Sequence, residues 1–226
     1  MNSSDKKTFL RSLVSEIESE LGAYYGFSQH SNVADHIIER DEVRFFLGDD
    51  AKKLKEWEAR AAVWLAEQPD ELFIGMHIKD ELLDTLSNND PRRGLNDSNL
   101  DAFTIVVEEV SHFHMILNRA ASERQVNRTE LETQGEIDKL LLSALYLQRQ
   151  HGDPHILHLA RKLFDQALII ADDYETYWQA TKHAARFWFH IGHTEKQLTP
   201  AVRNTLQQKY QASWHEKYSH TIVSAA

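Results

Sequence analysis

The chain has 226 residues, 42% hydrophobic and 27% charged, with a formal net charge of -10. It is too apolar for a disordered chain and long enough to bury a sizeable core as one domain or two small ones. The acidic balance, with no local basic stripe, argues against nucleic acid as a partner, and the lack of cysteine excludes disulfides, thiolate metal sites and cysteine nucleophiles. The segment from Met1 to Leu13 is polar and lacks the apolar stretch of a signal peptide. No run of about 18 apolar residues occurs, so no membrane insertion is expected. A cytoplasmic protein is the expectation.

Eight glycines and four prolines are few breakers, which favours long helices. A first helix is expected over 4–25, with Ser4 as N-cap and Leu10, Leu13, Val14, Ile17 and Leu21 at helical spacing. A less regular one is read over 32–47. A third, over 50–67, carries Leu54, Trp57, Ala61 and Trp64, and a fourth, over 70–86, carries Phe73, Met76, Leu82 and Leu86. The stretch 87–99, with Pro91 and Gly94, is the clearest loop and the place where two sub-bundles would divide. Helices follow over 98–122, 129–150, 154–171, 173–191 and 200–220, the last opened by Pro200. No strand with sustained alternation is evident. The expectation is an all-α, multi-helix bundle of about eight to nine helices around a central antiparallel hairpin, 98–122 with 129–150.

That hairpin stands out. At 100° per residue, Phe103, Val106, Val107, Val110, His114 and Leu117 line one face of its first helix, while Ile105, Glu109, His112 and Ile116 line the other. A helix apolar nearly all round is a buried one, so Glu108, Glu109 and His112 are drawn inward. The second helix is equally apolar and carries Glu132, Glu136 and Lys139. His112 lies about 13 residues before the centre of the turn and Glu136 about 11 after it, which at about 1.5 Å per residue brings them to one height. The expected buried polar cluster is therefore Glu108, Glu109, His112, Glu132, Glu136 and Lys139.

Buried carboxylates must be paired, protonated or metal-bound. Glu109-x-x-His112 is half of the motif of di-iron and di-manganese carboxylate bundles, which makes Glu108, Glu109, His112 and Glu136 candidate ligands for Fe or Mn. The second Glu-x-x-His is missing. His158, His183 and His190 fall on faces read as solvated, so a looser Glu108-x-x-x-His112 spacing is the variant that remains. The incomplete motif makes a closed ion-pair network the expected state, in which Glu109 or Glu136 pairs with His112 or Lys139 and the hydroxyls of Ser111 and Ser143 complete it. No Gly-rich phosphate loop, nucleophile elbow or His-Glu-x-x-His is present. The tryptophans at 57, 64, 178, 188 and 214 read as core or interface anchors.

Three stretches carry a resemblance: Val107-Glu108-Glu109-Val110-Ser111-His112-Phe113, the run from Glu130 to Lys139, and Tyr177-Trp178-Gln179-Ala180-Thr181. Together they resemble an uncharacterised family of bacterial all-helical proteins with VExVSHF and ELExQxExDK blocks. The resemblance covers roughly residues 30 to 190 and implies a fold and a bacterial origin but no reaction. The family has glycine at the position of Glu109, which leaves Glu108, His112 and Glu136 as shared candidates. The expected function is a protein–protein interaction or scaffold module, with a protein partner or a second copy; the alternative is a metal-dependent, di-iron or di-manganese carboxylate-like, oxidase or oxygenase.

Overall fold

The computed structural model describes residues 3–27, 32–39, 42–43, 59–68, 71–165 and 174–212. Among them are seven helices: α1 (Ser3–Tyr25), α2 (Asp80–Asn88), α3 (Leu100–Ala121), α4 (Arg128–His151), α5 (Ile156–Ala160), α6 (Tyr174–Thr194) and α7 (Pro200–Gln211). Their limits follow local chemistry. The side chain of Asn127 accepts from the amides of Thr129 and Glu130 to start α4. Gly152 ends it in the left-handed region, at φ 77°, its amide donating to the Gln148 carbonyl. Thr199 caps α7, with Pro200 in its first turn. α1 begins at Ser3, so Ser4 lies within its first turn and not at the cap. α5 passes into a single π-helical turn, Arg161–Asp165.

The expected helices over 50–67 and 70–86 are corrected where they adjoin. Ala61–Gln68 is a strand, β1, and Glu71–Ile78 is a second, β2. They pair antiparallel, from Ala61 opposite Ile78 to Gln68 opposite Glu71. Helix resumes only at Asp80. The helix read over 32–47 is, within the described residues, a 3-10 turn, Val33–His36, followed by a parallel bridge between Ile37 and Met76; Glu42 and Val43 are helical. Residues 50–58, 69–70, 166–173 and 213–226, with Trp57 and Trp214, lie outside the described residues.

Alanine, leucine, glutamate and glutamine in 61–68 favour helix locally, and tertiary pairing overrides that preference. Gly75 shows how. The Ile38 amide donates to the Met76 carbonyl at 3.0 Å. A Cβ on Gly75 would then come within 2.8 Å of the Ile38 side chain. The glycine that weakens a helix there lets a third backbone segment approach the strand.

The core is built on the α3–α4 hairpin. Phe103, Val106, Val107, Val110 and Phe113 of α3 are fully buried, as are Leu140, Leu141 and Leu142 of α4. Each is worth about 1.5–3 kcal/mol relative to exposure. The cluster joins residues from before and after 87–99, Leu13 and Ile17 with Leu140 and Leu206 among them. α4 packs against both α3 and α6. The fully buried Trp188 of α6 donates its indole N–H to the Ile137 carbonyl at 3.1 Å. A helix held between two partners has little surface left for water, which forces its polar residues inside. Among the described residues, no helix is long and apolar enough to cross a membrane.

A candidate metal centre in the helix hairpin

His112 of α3 and Glu132 of α4 meet across the hairpin. They are 8% and 5% exposed. His112 Nε2 lies 3.6 Å from Glu132 Oε2, and neither atom has a hydrogen-bond partner. Glu108, one turn before His112, joins them: the three residues offer ligand atoms all within 4.8 Å of one another. The other ring nitrogen, Nδ1, faces Glu109 Oε2 at 3.8 Å. Gly135 makes the arrangement fit, because a Cβ there would stand 2.9 Å from His112 Nε2 and 3.1 Å from Glu108 Cγ.

Lys139 closes the other end. Its ammonium donates to Glu108 Oε2 at 3.1 Å and to Glu136 Oε1 at 2.9 Å. At the Glu132 end, Arg128 Nε lies 3.9 Å from the carboxylate, and its guanidinium stands 5.9 Å over the ring of Tyr177 on α6. The Arg128 side chain is more than half exposed, which makes that pair a weak one.

The electrostatics follow from burial against charge. Burial opposes the charge on His112, but Glu109, Glu132 and Glu108 outweigh it and push the imidazole up to about 9. Burial pushes the Glu132 carboxyl up to about 7 against the pull of His112. Burial also works on Glu108, yet Lys139 and His112 hold it below the ordinary carboxylate range, while burial leaves Glu136 above it. Burial disfavours the Lys139 ammonium, and Glu108 and Glu136 overcome that and hold it well above its ordinary value. Four carboxylates share this pocket of the hairpin with one lysine and one histidine, and the largely exposed Arg128 lies at its rim. The surplus negative charge calls for protons or a cation.

All six residues read as a polar cluster are thus together, and two of the pairings expected of a closed network, Glu136 with Lys139 and Glu109 with His112, are present. Glu136, level with His112 by the count of residues from the turn, reaches Lys139, three residues along its own helix, and not the imidazole. Glu132, one turn earlier, is the carboxylate opposite His112. The reason is Gly135. It stands directly across from the imidazole, and the ring occupies the space a side chain would fill and points toward Glu132. The three-donor group is therefore Glu108, His112 and Glu132. Glu132 carries no signal of its own in sequence beyond lying one turn before Glu136.

The hydroxyls expected to complete this network do not. Ser111 Oγ donates to Asp138 Oδ2 at 2.6 Å, and Ser143 Oγ has no partner. Asp138, missed in sequence, is the centre of a second buried cluster. It also accepts from the Tyr25 hydroxyl and from Gln134 Nε2 at 3.0 Å. Nearby, His114 Nε2 stands 3.3 Å from Glu18 Oε1, both buried. That pair offers only two donors. His158 and His190 are exposed, as the helical pattern implied, whereas His183 is half-buried, and burial lowers it to about 4. Trp64 and Trp188 are buried, and Trp178 is 40% exposed.

Compared with known protein families, curated proteins and solved structures, the chain matches none.

Proposed function

We propose that the α3–α4 hairpin holds a divalent metal ion on Glu108, His112 and Glu132, and that the protein is a metal-dependent oxidase or oxygenase. The observation carrying this reading is the pair of buried, unpartnered atoms, His112 Nε2 and Glu132 Oε2, 3.6 Å apart beside Glu108. With metal–ligand bonds of about 2.0–2.2 Å, two ligands of one ion stand about 3–3.5 Å apart. An ion on these atoms satisfies both and offsets the surplus negative charge. Glu109 facing Nδ1 is the carboxylate that orients a ligand histidine and fixes its tautomer. Two carboxylates with one imidazole favour iron or manganese over thiolate-seeking metals, and three protein ligands leave positions for substrate. A chain without cysteine suits the reducing cytoplasm.

Elemental analysis of untagged protein, purified after anaerobic loading with Fe(II) or Mn(II), tests this reading. About one ion per chain is expected, lost in His112→Ala. Substoichiometric metal that His112→Ala leaves unchanged would overturn it and leave a closed ion-pair network.

A second reading, an interaction module, draws on another observation. Tyr174 and Trp178 are exposed and stacked at 6.1 Å, and Leu65 and Leu72 are exposed on the β-hairpin. Apolar surface of this kind marks contact sites. Sedimentation across a range of concentrations checks self-association; a strict monomer at all of them removes the second-copy version.

A further inference from the structure

The carboxylates of the hairpin outnumber the ligands that one ion needs. Glu108 belongs to two groups at once: the three-donor set with His112 and Glu132, and the pair of carboxylates, Glu108 and Glu136, that grips Lys139. A carboxylate shared between two cations is what bridges a dinuclear centre, and four glutamates is the carboxylate complement of such a centre in helical bundles. Here one of the two cation positions is already filled by the protein. The Lys139 side chain is 14% exposed, and its ammonium lies 2.9–3.1 Å from both carboxylates.

We propose that Lys139 is a built-in second cation: its ammonium occupies the position a second metal ion would take between Glu108 and Glu136, and restricts the centre to a single ion on Glu108, His112 and Glu132. This rests on the metal reading above and sharpens it by fixing the nuclearity. An ammonium is a point charge with three donors and satisfies two carboxylates without open coordination positions. It neutralises one charge and excludes a second dication by repulsion and by volume. Its removal leaves Glu108 and Glu136 as a buried carboxylate pair, which must take up a proton or a cation.

The test is a metal titration of the full chain with Mn(II), read by bound-ion stoichiometry and by electron paramagnetic resonance. Wild type is expected to saturate at one ion with the spectrum of an isolated Mn(II). Lys139→Ala is expected to bind twice as much and to show a spin-coupled pair, and Lys139→Ala combined with Glu136→Gln to return to one. Lys139→Gln, neutral and close in size, carries the same comparison if the alanine variant does not fold. Two ions in wild type, or one ion in a folded Lys139→Ala or Lys139→Gln variant, overturns the assignment of Lys139 while leaving the metal centre standing. No ion in wild type or variant overturns the centre and the proposal together.

Discussion

The α3–α4 hairpin carries two buried polar clusters that end in opposite states. Around Asp138 the accounts close: Tyr25, Ser111 and Gln134 all donate to one carboxylate. Around His112 they do not, and an imidazole nitrogen and a carboxylate oxygen face each other at 3.6 Å, buried and without a hydrogen bond. A satisfied network ties elements together, here α1 to α3 and α4. An unsatisfied one of surplus charge is where a ligand has something to gain. The difference lies in donors. Hydroxyls and an amide supply the one Asp138 carboxylate, whereas four carboxylates around His112 share too few donors.

The largest expected effect breaks the satisfied side. Asp138→Ala strands the buried Tyr25 and Ser111 hydroxyls, while Gln134 Nε2 keeps the Tyr25 hydroxyl as an acceptor at 3.0 Å, and we expect it to cost about 3 kcal/mol or more in denaturant unfolding, with ion stoichiometry unchanged. A loss under about 0.5 kcal/mol would show that the network is ornamental. A smaller effect concerns pH. Burial pushes the Asp138 carboxyl up to about 6, against an ordinary value of 3.8, despite the hydrogen bonds that oppose it. The folded chain therefore keeps a proton that the unfolded chain has already released, so stability falls as pH rises from about 4 to about 6. Unfolding of ion-free wild type and Asp138→Asn across that window should differ in slope, the variant being flatter; parallel curves would refute the assignment. The smallest effect sharpens the unsatisfied side. Glu109→Gln keeps the shape of the group facing His112 Nδ1 and removes its charge, and Mn(II) affinity should fall about tenfold. An unchanged affinity would mean that Glu109 does not orient the ring.

Much of the helical part was legible in sequence, because Leu13, Ile17 and Val106 through Val110 recur at helical spacing and Gly152 and Pro200 mark ends. The β-hairpin was not. Its residues 61–68 are helix formers by local preference, and only the pairing with 71–78 and the approach of Ile38 over Gly75 decide for strands. The six polar residues of the seam were readable from helical faces, since a helix without a polar side must bury whatever charge it carries. Which carboxylate meets His112 was not readable. Height along an antiparallel pair is uncertain by a turn, and the absent side chain of Gly135 settles the choice of Glu132 over Glu136. Asp138 and Tyr25 pair across 113 positions, a separation that no local pattern announces.

The most direct measurement is anomalous diffraction from crystals grown with Mn(II), collected at the manganese edge. The metal centre proposed for the hairpin is expected to give a single peak within about 2.0–2.4 Å of His112 Nε2 and of oxygens from Glu108 and Glu132, with the Lys139 ammonium still between Glu108 and Glu136. No peak in the hairpin, with His112 and Glu132 in direct hydrogen-bonded contact, would contradict it.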